Sequence, residues 1–443
     1  MILKYLLMVF IYLPILLVIS QAQSDTTDMH YETLKLEVRQ LRHELDSLQN
    51  VRTQSQMGEL DEFDQLEERL ERRLTDLEKK IDAVARSSAP IVLNPRTTAF
   101  INFAARVDDR TVYAEDQETE IGDRPFLRTL ELDLRAPVDP YAEAISILAF
   151  ENEAGESFEI DVEEAYGLIK RLPIIEAAPL GMKLKIGKFR APLGVNNKLH
   201  MHDLPWTTRP LVVSKYLGTE QGDFFESGFN PTGVDIDFFL PSPIPQTTLE
   251  MNLDVVRTGE LGLSQNEGTT QLAYLSHLTL SKDWSNEHLL VVGGSVYYER
   301  EPLSTRLLSA DITYKWLPSE RRQHQSFVAG GEIFWAKQNY LDTLSNEVTS
   351  SPYGWFWYLQ YQTSYWLYVG VRYDWLKEPI DDQLETKSIA GYLSYYTTEF
   401  LRFRIGVEHR MSDIPAHDDI TSGIFEVNFV FGSHPTEPYW VNR

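Results

Sequence analysis

Two histidines and an aspartate stand close together in the stretch HMHD, from His200 to Asp203. Zinc accepts imidazole nitrogens and carboxylates as ligands, and a His-x-His spacing on an extended segment places both rings on one face. No further ligand can be identified from the spacing of the other residues. The sequence therefore predicts a polar loop surface at His200, His202 and Asp203, without a metal or cofactor, and metal binding is the alternative left open.

Basic side chains recur at every second position in several segments that alternate apolar and polar residues. In FLRFRIGVEHR the arginines share one face, and the apolar residues between them share the other. MKLKIGKF and WLYVGVRYDW behave in the same way. Convergent guanidinium and ammonium groups bind anions, so this alternation predicts an anion-attracting strip. Its members are Lys183, Lys185, Arg372, Arg402, Arg404 and Arg410.

Segments with this period of two run from Thr97 to Gly432 and number about sixteen. Most have the length of roughly 9–11 residues that a tilted strand needs to cross a bilayer. Connections after even-numbered segments are mostly short, and those after odd-numbered segments are mostly long. Aromatic residues, which prefer the headgroup level of a bilayer, cluster near segment ends, as in YGWFWYLQY. These features predict an all-β transmembrane barrel of about sixteen antiparallel strands, polar inside and apolar outside.

The residues before the barrel have a different pattern. An apolar run ending in SQA predicts a signal peptide over 1–22, with an uncleaved membrane anchor as the alternative. Heptad-spaced leucines predict a periplasmic coiled coil over 25–88, and a single charged helix lying on the barrel is the alternative. Proline-containing residues 89–96 form the predicted linker to a barrel spanning 97–432. Residues 433–443 follow the last strand, either as a small periplasmic extension or because the final strand is displaced.

The charge and composition exclude several classes of function. A net charge of −25 argues against nucleic-acid binding, which requires a basic face. The chain contains no cysteine, which excludes disulfides and thiolate metal sites. No nucleophile motif or phosphate-binding glycine loop is present, so an enzyme is not predicted.

A signal peptide, a coiled coil and about sixteen strands together resemble the phosphate-selective porins of Gram-negative bacteria and related trimeric porins with an N-terminal coiled coil. The closest local similarity is VEEAYGLIKRLPIIEAAPLGMKLKIGKFRAPLGVNN, residues 162–197. The resemblance implies an outer-membrane homotrimer that passes small solutes, commonly anions, by passive diffusion. It also implies that the connection 191–232 folds into the lumen and narrows it. Candidate constriction residues on this connection are the basic Lys198, Arg209 and Lys215, and the acidic Asp203, Glu220, Asp223 and Glu226.

Ion selectivity stays open at this stage, because acids also face the predicted interior: Glu131, Asp133, Asp311, Glu332 and Glu408. The predicted function is a porin for small, possibly anionic solutes, tethered or trimerised by the coiled coil. Its predicted partners are outer-membrane lipid, further copies of the chain, and peptidoglycan or a periplasmic protein reached through the coiled coil. The alternatives are a structural tether or adhesin with a plugged barrel, and an outer-membrane enzyme, for which no catalytic constellation was found.

Overall fold

The computed structural model describes residues 95–441, except for 114–119, 122–123, 152–158, 173, 175–176, 219–227, 267–270, 286, 319–323, 415–418 and 433–439. The chain divides after Asn94 into two units, and every described residue belongs to the second. The predicted signal peptide, the coiled coil and most of the linker lie outside the described residues and stay predictions.

Sixteen antiparallel strands form a closed barrel in the described unit, which confirms the predicted strand number and the barrel fold. They are numbered here in chain order, and two short hairpin strands at 112–113 and 120–121 and the strand 347–350 are left unnumbered. The strands are β1 Arg96–Asp108, β2 Arg124–Pro137, β3 Ala142–Glu151, β4 Glu159–Ile169, β5 Lys183–Lys188, β6 Thr232–Leu240, β7 Thr247–Arg257, β8 Leu272–Ser285, β9 His288–Glu299, β10 Thr305–Trp316, β11 Ser326–Leu341, β12 Tyr353–Ser364, β13 Leu367–Lys377, β14 Glu385–Thr398, β15 Leu401–Ser412 and β16 Ile420–Gly432.

The sheet closes on itself. Each strand pairs with its neighbours in the chain, and β1 also pairs with β16, from Thr98 opposite Gly432 to Asp108 opposite Ser422. Closure gives the backbone groups of the first and last strands hydrogen-bond partners within the barrel. A membrane-spanning sheet requires this, because hydrocarbon offers no substitute donors or acceptors.

Alternation separates an apolar outer face from a polar inner one. On β15, the outward-facing Ile405 and Val407 are 54% and 53% exposed. Arg402 and Arg404 on the inner face of the same strand are 4% and 1% exposed. Phe425 and Phe429 of β16 likewise face outward around the buried Glu426. Among the described residues, no helix is long and apolar enough to cross a membrane. The alternation leaves apolar side chains exposed on the outer face of the strands.

The two rims of the barrel differ in the length of their connections. One rim carries brief turns at 138–141, 365–366 and 399–400, and is called the short-turn end here. The other carries the long connections 189–231, 258–271 and 342–352, and is called the long-loop end. The connections 170–182 and 300–304 depart from this rule.

The register shifts at five places among the described strands, of which three lie next to short turns and two lie within the strands. The latter two bear on the lumen. Between β1 and β2, Asn102 opposes Thr129 and Phe103 opposes Leu127, so Arg128 is an extra residue. Between β3 and β4 the register shifts in the same way and leaves Glu163 extra. An extra residue lets two consecutive side chains point to one face. Arg128 and Glu163 are accordingly buried beside a buried neighbour, where strict alternation would turn one of each pair outward.

Candidate functional site in the barrel lumen

The connection between β5 and β6, residues 189–231, folds into the barrel and is called the inserted loop. Its described parts are 189–218 and 228–231, including the helix α1, Leu211–Leu217. Its apolar side chains pack against the inner wall: Trp206 lies 4.8 Å from Tyr358 and Phe229 lies 5.6 Å from Tyr297, ring centroid to centroid. Burial of these aromatic residues attaches the loop to β9 and β12 without a covalent link.

Asn197 holds the two ends of the inserted loop together. Its side-chain Nδ2 donates to the carbonyl oxygens of Ala191 and Phe229, each at 2.8 Å, and its Oδ1 accepts from the backbone N–H of Phe229 at 2.7 Å. The side chain is fully buried, so these hydrogen bonds offset the cost of placing irregular backbone away from water.

The loop reaches the wall first at β9 and β11. The backbone N–H groups of Val195 and Asn196 donate to Oε1 of Glu332 at 3.0 and 2.8 Å, and that of Gly194 donates to Oγ of Ser295 at 3.2 Å. Gly194 has a φ of +71°, and a Cβ there would stand 2.2 Å from Oε2 of Glu332. Only glycine fits this left-handed, close approach.

At a second place, three arginines donate to backbone carbonyls of the inserted loop, and Arg128, Arg372 and Arg404 are called the arginine clamp. Nη2 of Arg404 bonds Leu204 O at 2.6 Å, and its Nη1 bonds Trp206 O. Arg128 Nη1 bonds Thr207 O at 2.8 Å and Arg372 Nη1 bonds Thr208 O at 2.5 Å. The clamp satisfies an almost continuous run of carbonyls that no secondary structure serves.

Carboxylates on neighbouring positions of the barrel wall neutralise the charge of the arginine clamp. Arg372 Nε lies 2.7 Å from Asp374 Oδ2, and a second arginine nitrogen lies 3.4 Å from Glu408. Glu426 lies 3.0 Å from Arg402, 3.5 Å from Arg404 and 3.8 Å from Arg128. These guanidinium groups therefore bind the loop and wall acids in this conformation.

The third contact joins the inserted loop to β2 and β4 through the two histidines of HMHD. His200 Nδ1 lies 2.6 Å from Glu163 Oε2 and its Nε2 lies 2.7 Å from Glu164 Oε1. His202 Nδ1 lies 3.0 Å from Glu131 Oε2. Burial lowers the pKa of His200 but the Glu163 carboxylate raises it more, so that pKa lies well above its ordinary value.

The expectation of a polar loop surface at these histidines is wrong, since His200 and His202 are only 8% and 7% exposed. The carboxylates that meet them lie more than thirty residues earlier in the chain, on strands. Strict alternation does not place both Glu163 and Glu164 on the inner face, so spacing alone gave no signal for them.

A segment beyond β16 also enters the lumen, close to the short-turn end. Trp440 is fully buried, donates from Nε1 to the carbonyl oxygen of Asp203 at 2.6 Å, and lies 5.9 Å from the ring of Tyr368. Its own carbonyl accepts from Nε2 of Gln360 at 3.3 Å. The sequence predicted a periplasmic extension or a displaced last strand, and neither describes Trp440 and Val441, which pack inside the barrel.

The barrel of the outer-membrane channel DcaP of Acinetobacter baumannii superposes on this chain with a TM-score of 0.50. The match has 10% sequence identity and covers 76% of this chain and 97% of that one. The fold is that of outer-membrane porins. An anion-selective porin from Comamonas acidovorans matches with a TM-score of 0.49, 9% identity and coverage of 76% and 99%.

An uncharacterized protein of Aquifex aeolicus is 26% identical over 357 residues, which are 71% of this chain and 70% of the relative. No protein-family model matches the chain.

Opposite the clamp, the lumen of the barrel carries acids on β6, β7, β10 and β11, called the acidic wall. Asp235 directly faces Asp254 across β6 and β7, and Asp311 directly faces Glu332 across β10 and β11. Both carboxylate oxygens of Asp254 and of Asp311 accept no hydrogen bond from the described residues. Like charges placed directly opposite repel each other, and Lys185 lies 3.1 Å from Asp235 as a counterion of the first pair.

The remaining predicted site residues are distributed around this lumen. Lys183 lies 3.5 Å from Asp237, Lys185 3.1 Å from Asp235, Lys215 2.7 Å from Glu378, and Arg410 3.9 Å from Glu408. Arg209 donates to the loop carbonyls of Asn196 and Leu199, and Lys198 is exposed and interacts electrostatically with Asp254 and Asp311. Glu220, Asp223 and Glu226 lie outside the described residues. The role of the basic residues in selecting solutes stays a prediction.

Proposed function

We propose that this protein is an outer-membrane channel through which small solutes diffuse, and that the inserted loop sets the width of the path. The observation that supports this most directly is a loop folded into a closed sixteen-stranded barrel and joined to three parts of its wall by hydrogen bonds and ion pairs. Polar contacts to a lumen wall are the usual means by which a channel is narrowed and made selective.

The acidic wall is largely covered in this conformation. Asp254 and Asp311 of the acidic wall are only 2% and 3% exposed. In this proposal, passage of a solute larger than a small ion requires the inserted loop to move away from the wall. The clamp and the two histidines resist this movement, because their departure would leave loop carbonyls and wall carboxylates without partners.

The charge arrangement favours cations, in contrast to the anion-attracting strip predicted from alternation. Arg372, Arg402 and Arg404 each contact a wall acid. The oxygens of Asp254 and Asp311 lack hydrogen-bond donors among the described residues. In this proposal an entering cation meets carboxylate oxygens without hydrogen-bond donors among the described residues, whereas an anion meets guanidinium groups that are already paired with wall acids.

The membrane location and the assembly belong to the same proposal. The exposed apolar residues of the strands suit a lipid environment, and the heptads of residues 25–88 suit self-association in the periplasm, which supports a homotrimer. Peptidoglycan or a periplasmic protein is the proposed partner of the coiled coil.

A second function has a specific observation in its favour. The inner wall is buried along much of its height by the inserted loop and by Trp440, which is what a plugged barrel serving as a tether or adhesin requires. Recording the purified full-length protein in planar lipid bilayers separates the two functions. Steady open steps are expected of the channel, and complete silence over a range of voltages would instead establish the plugged barrel.

The selectivity is tested by the reversal potential in a potassium chloride gradient. We expect the wild type to prefer potassium, and an Asp254→Asn, Asp311→Asn double variant to lose several-fold in its cation-to-anion permeability ratio. The matched control is Asp283→Asn, which removes an exposed acid at the short-turn end. Anion preference in the wild type, or an unchanged ratio in the double variant, would reject the acidic wall as the selecting element.

A further inference from the structure

Ligand atoms of Glu131, Glu163 and His200 converge where the inserted loop meets β2 and β4, and Nδ1 of His202 lies beside them. Oε2 of Glu131 lies 3.0 Å from Nδ1 of His202 and 3.6 Å from Nδ1 of His200, and the latter lies 2.6 Å from Oε2 of Glu163. One ligand atom from each of Glu131, Glu163 and His200 falls within 4.8 Å of the others. We propose that Glu131, Glu163, His200 and His202 bind one divalent transition-metal ion of the zinc type.

Two of the four atoms lack a hydrogen-bond partner. Oε2 of Glu131 and Nδ1 of His202 are buried and make no hydrogen bond with any described residue, although they face each other. Native interiors rarely leave such groups unsatisfied, because each costs about 1–3 kcal/mol. A metal ion between them would satisfy both at once, with His202 in the neutral tautomer that leaves Nδ1 unprotonated.

Contacts with the surrounding residues fix the orientation of the His200, Glu163 and His202 side chains. Nε2 of His200 lies 2.7 Å from Oε1 of Glu164, so the imidazole uses one nitrogen for a carboxylate and presents the other to the cluster. Arg190 bonds Oε1 of Glu163, which leaves Oε2 directed at the histidine. The ring of His202 is stacked 3.7 Å from that of Phe100. Outer contacts of this kind fix the orientation of metal ligands.

The charges of the cluster match a divalent cation. The carboxylates of Glu131, Glu163 and Glu164 and the guanidinium of Arg190 sum to two negative charges in a buried place. Either two protonated imidazoles or one divalent ion bound by neutral imidazoles would compensate these charges. Buried charge is expensive unless it is compensated. A divalent ion restores neutrality and uses both histidines in the neutral form that binds metals.

The backbone is irregular at this point in a way that serves the cluster. The bulge in β4 turns both Glu163 and Glu164 inward, one toward Nδ1 and the other toward Nε2 of the same imidazole. Bulges occur preferentially where a strand must redirect a side chain toward a functional site.

Two nitrogen and two oxygen ligands suit zinc, and the absence of cysteine means that thiols do not compete for the ion.

The test is a titration of the full-length protein in detergent, first stripped with a chelator and then exchanged into chelator-free buffer. Cobalt(II) serves as the spectroscopic probe and zinc as the competitor. We expect one cobalt per chain with the visible absorption of a four-coordinate site, displaced by one equivalent of zinc. His202→Gln and Glu131→Gln are each expected to weaken binding at least tenfold, and Glu164→Ala, which retains all four ligands, about 10–100-fold.

His409→Gln is the matched control, because the imidazole of His409 on β15 bonds Thr421 of β16 and lies outside the cluster. Heat-modifiable gel mobility shows that each variant is folded, and a ligand variant that fails this check leaves Glu164→Ala to decide. Absence of stoichiometric binding to the wild type, or an affinity in the folded cluster variants equal to that of the control, would overturn the site. Neither result bears on conductance, so the channel proposal is tested separately.

Discussion

Arg404 on β15 donates a 2.6 Å hydrogen bond from Nη2 to the carbonyl oxygen of Leu204, a residue of the inserted loop two hundred positions earlier in the chain. Arginine serves the loop better than lysine would, because its planar fork reaches two carbonyls, Leu204 O and Trp206 O, at the same time. The inner wall thus supplies the donors that an irregular lumenal backbone cannot find within itself.

Removing this donor is expected to loosen the inserted loop. Arg404→Ala leaves the carbonyls of Leu204 and Trp206 buried without their arginine donor, at a cost of about 3 kcal/mol for two charge-assisted hydrogen bonds. We expect larger and noisier single-channel conductance in planar bilayers. Arg300→Ala, which removes an exposed arginine at the long-loop end, is the control and should conduct like the wild type. Identical traces for both variants would show that the clamp does not hold the loop.

Replacing Gly194 is expected to disturb the contact with β11. Gly194→Ala places a Cβ in a left-handed conformation and 2.2 Å from Glu332 Oε2, which costs at least about 1–2 kcal/mol. The midpoint of denaturant-induced unfolding in lipid vesicles should fall. Gly391→Ala has no atom within 4 Å of the new Cβ and removes a flexible residue from β14, so it should be neutral or stabilising by about 0.5 kcal/mol. A midpoint for Gly194→Ala that equals the Gly391→Ala value would contradict the tight contact.

Trp440 is expected to keep the last described residues inside the lumen. Val441→Cys creates a single labelling site, because the chain has no cysteine, and Val441 is buried. Adding Trp440→Ala removes the bond to Asp203 and the aromatic contacts, worth roughly 3–5 kcal/mol. Maleimide labelling should then accelerate at least tenfold, given that about 1.4 kcal/mol corresponds to a factor of ten. Trp366→Ala in the same background, at a half-exposed turn, should leave the rate unchanged. Equal rates in all three proteins would place Val441 outside a protected lumen.

The period-two pattern was sufficient to predict the strands, because one face of every strand meets a different solvent from the other. Arg402 and Arg404 were assigned to the inner face from the apolar residues around them, and they lie there. The number of strands followed from the same reasoning. The alternation of apolar and polar residues can be read from the sequence, because each side chain is selected for the environment of the strand face on which it lies.

The contacts of the lumen could not be predicted in this way, because they depend on which distant residues share a layer of the barrel. His202 meets Glu131 only after β2 has been placed beside the inserted loop. Trp440 contacts Asp203 although the sequence between them contains most of the barrel. Arg128 and Glu163 depart from alternation because of bulges, which leave no clear trace in a single sequence.

Because Glu163 is the extra residue of the bulge in β4, the pairing of β3 with β4 does not depend on it. On both sides of this residue β3 and β4 are in regular register, Ile147 with Glu164 and Leu148 with Val162. Loss of one codon would therefore restore an uninterrupted ladder, keep Glu164 facing inward and withdraw a carboxylate from His200. A single-codon deletion or insertion could thus remove or add the Glu163 ligand of the histidine cluster without changing the pairing of the barrel strands.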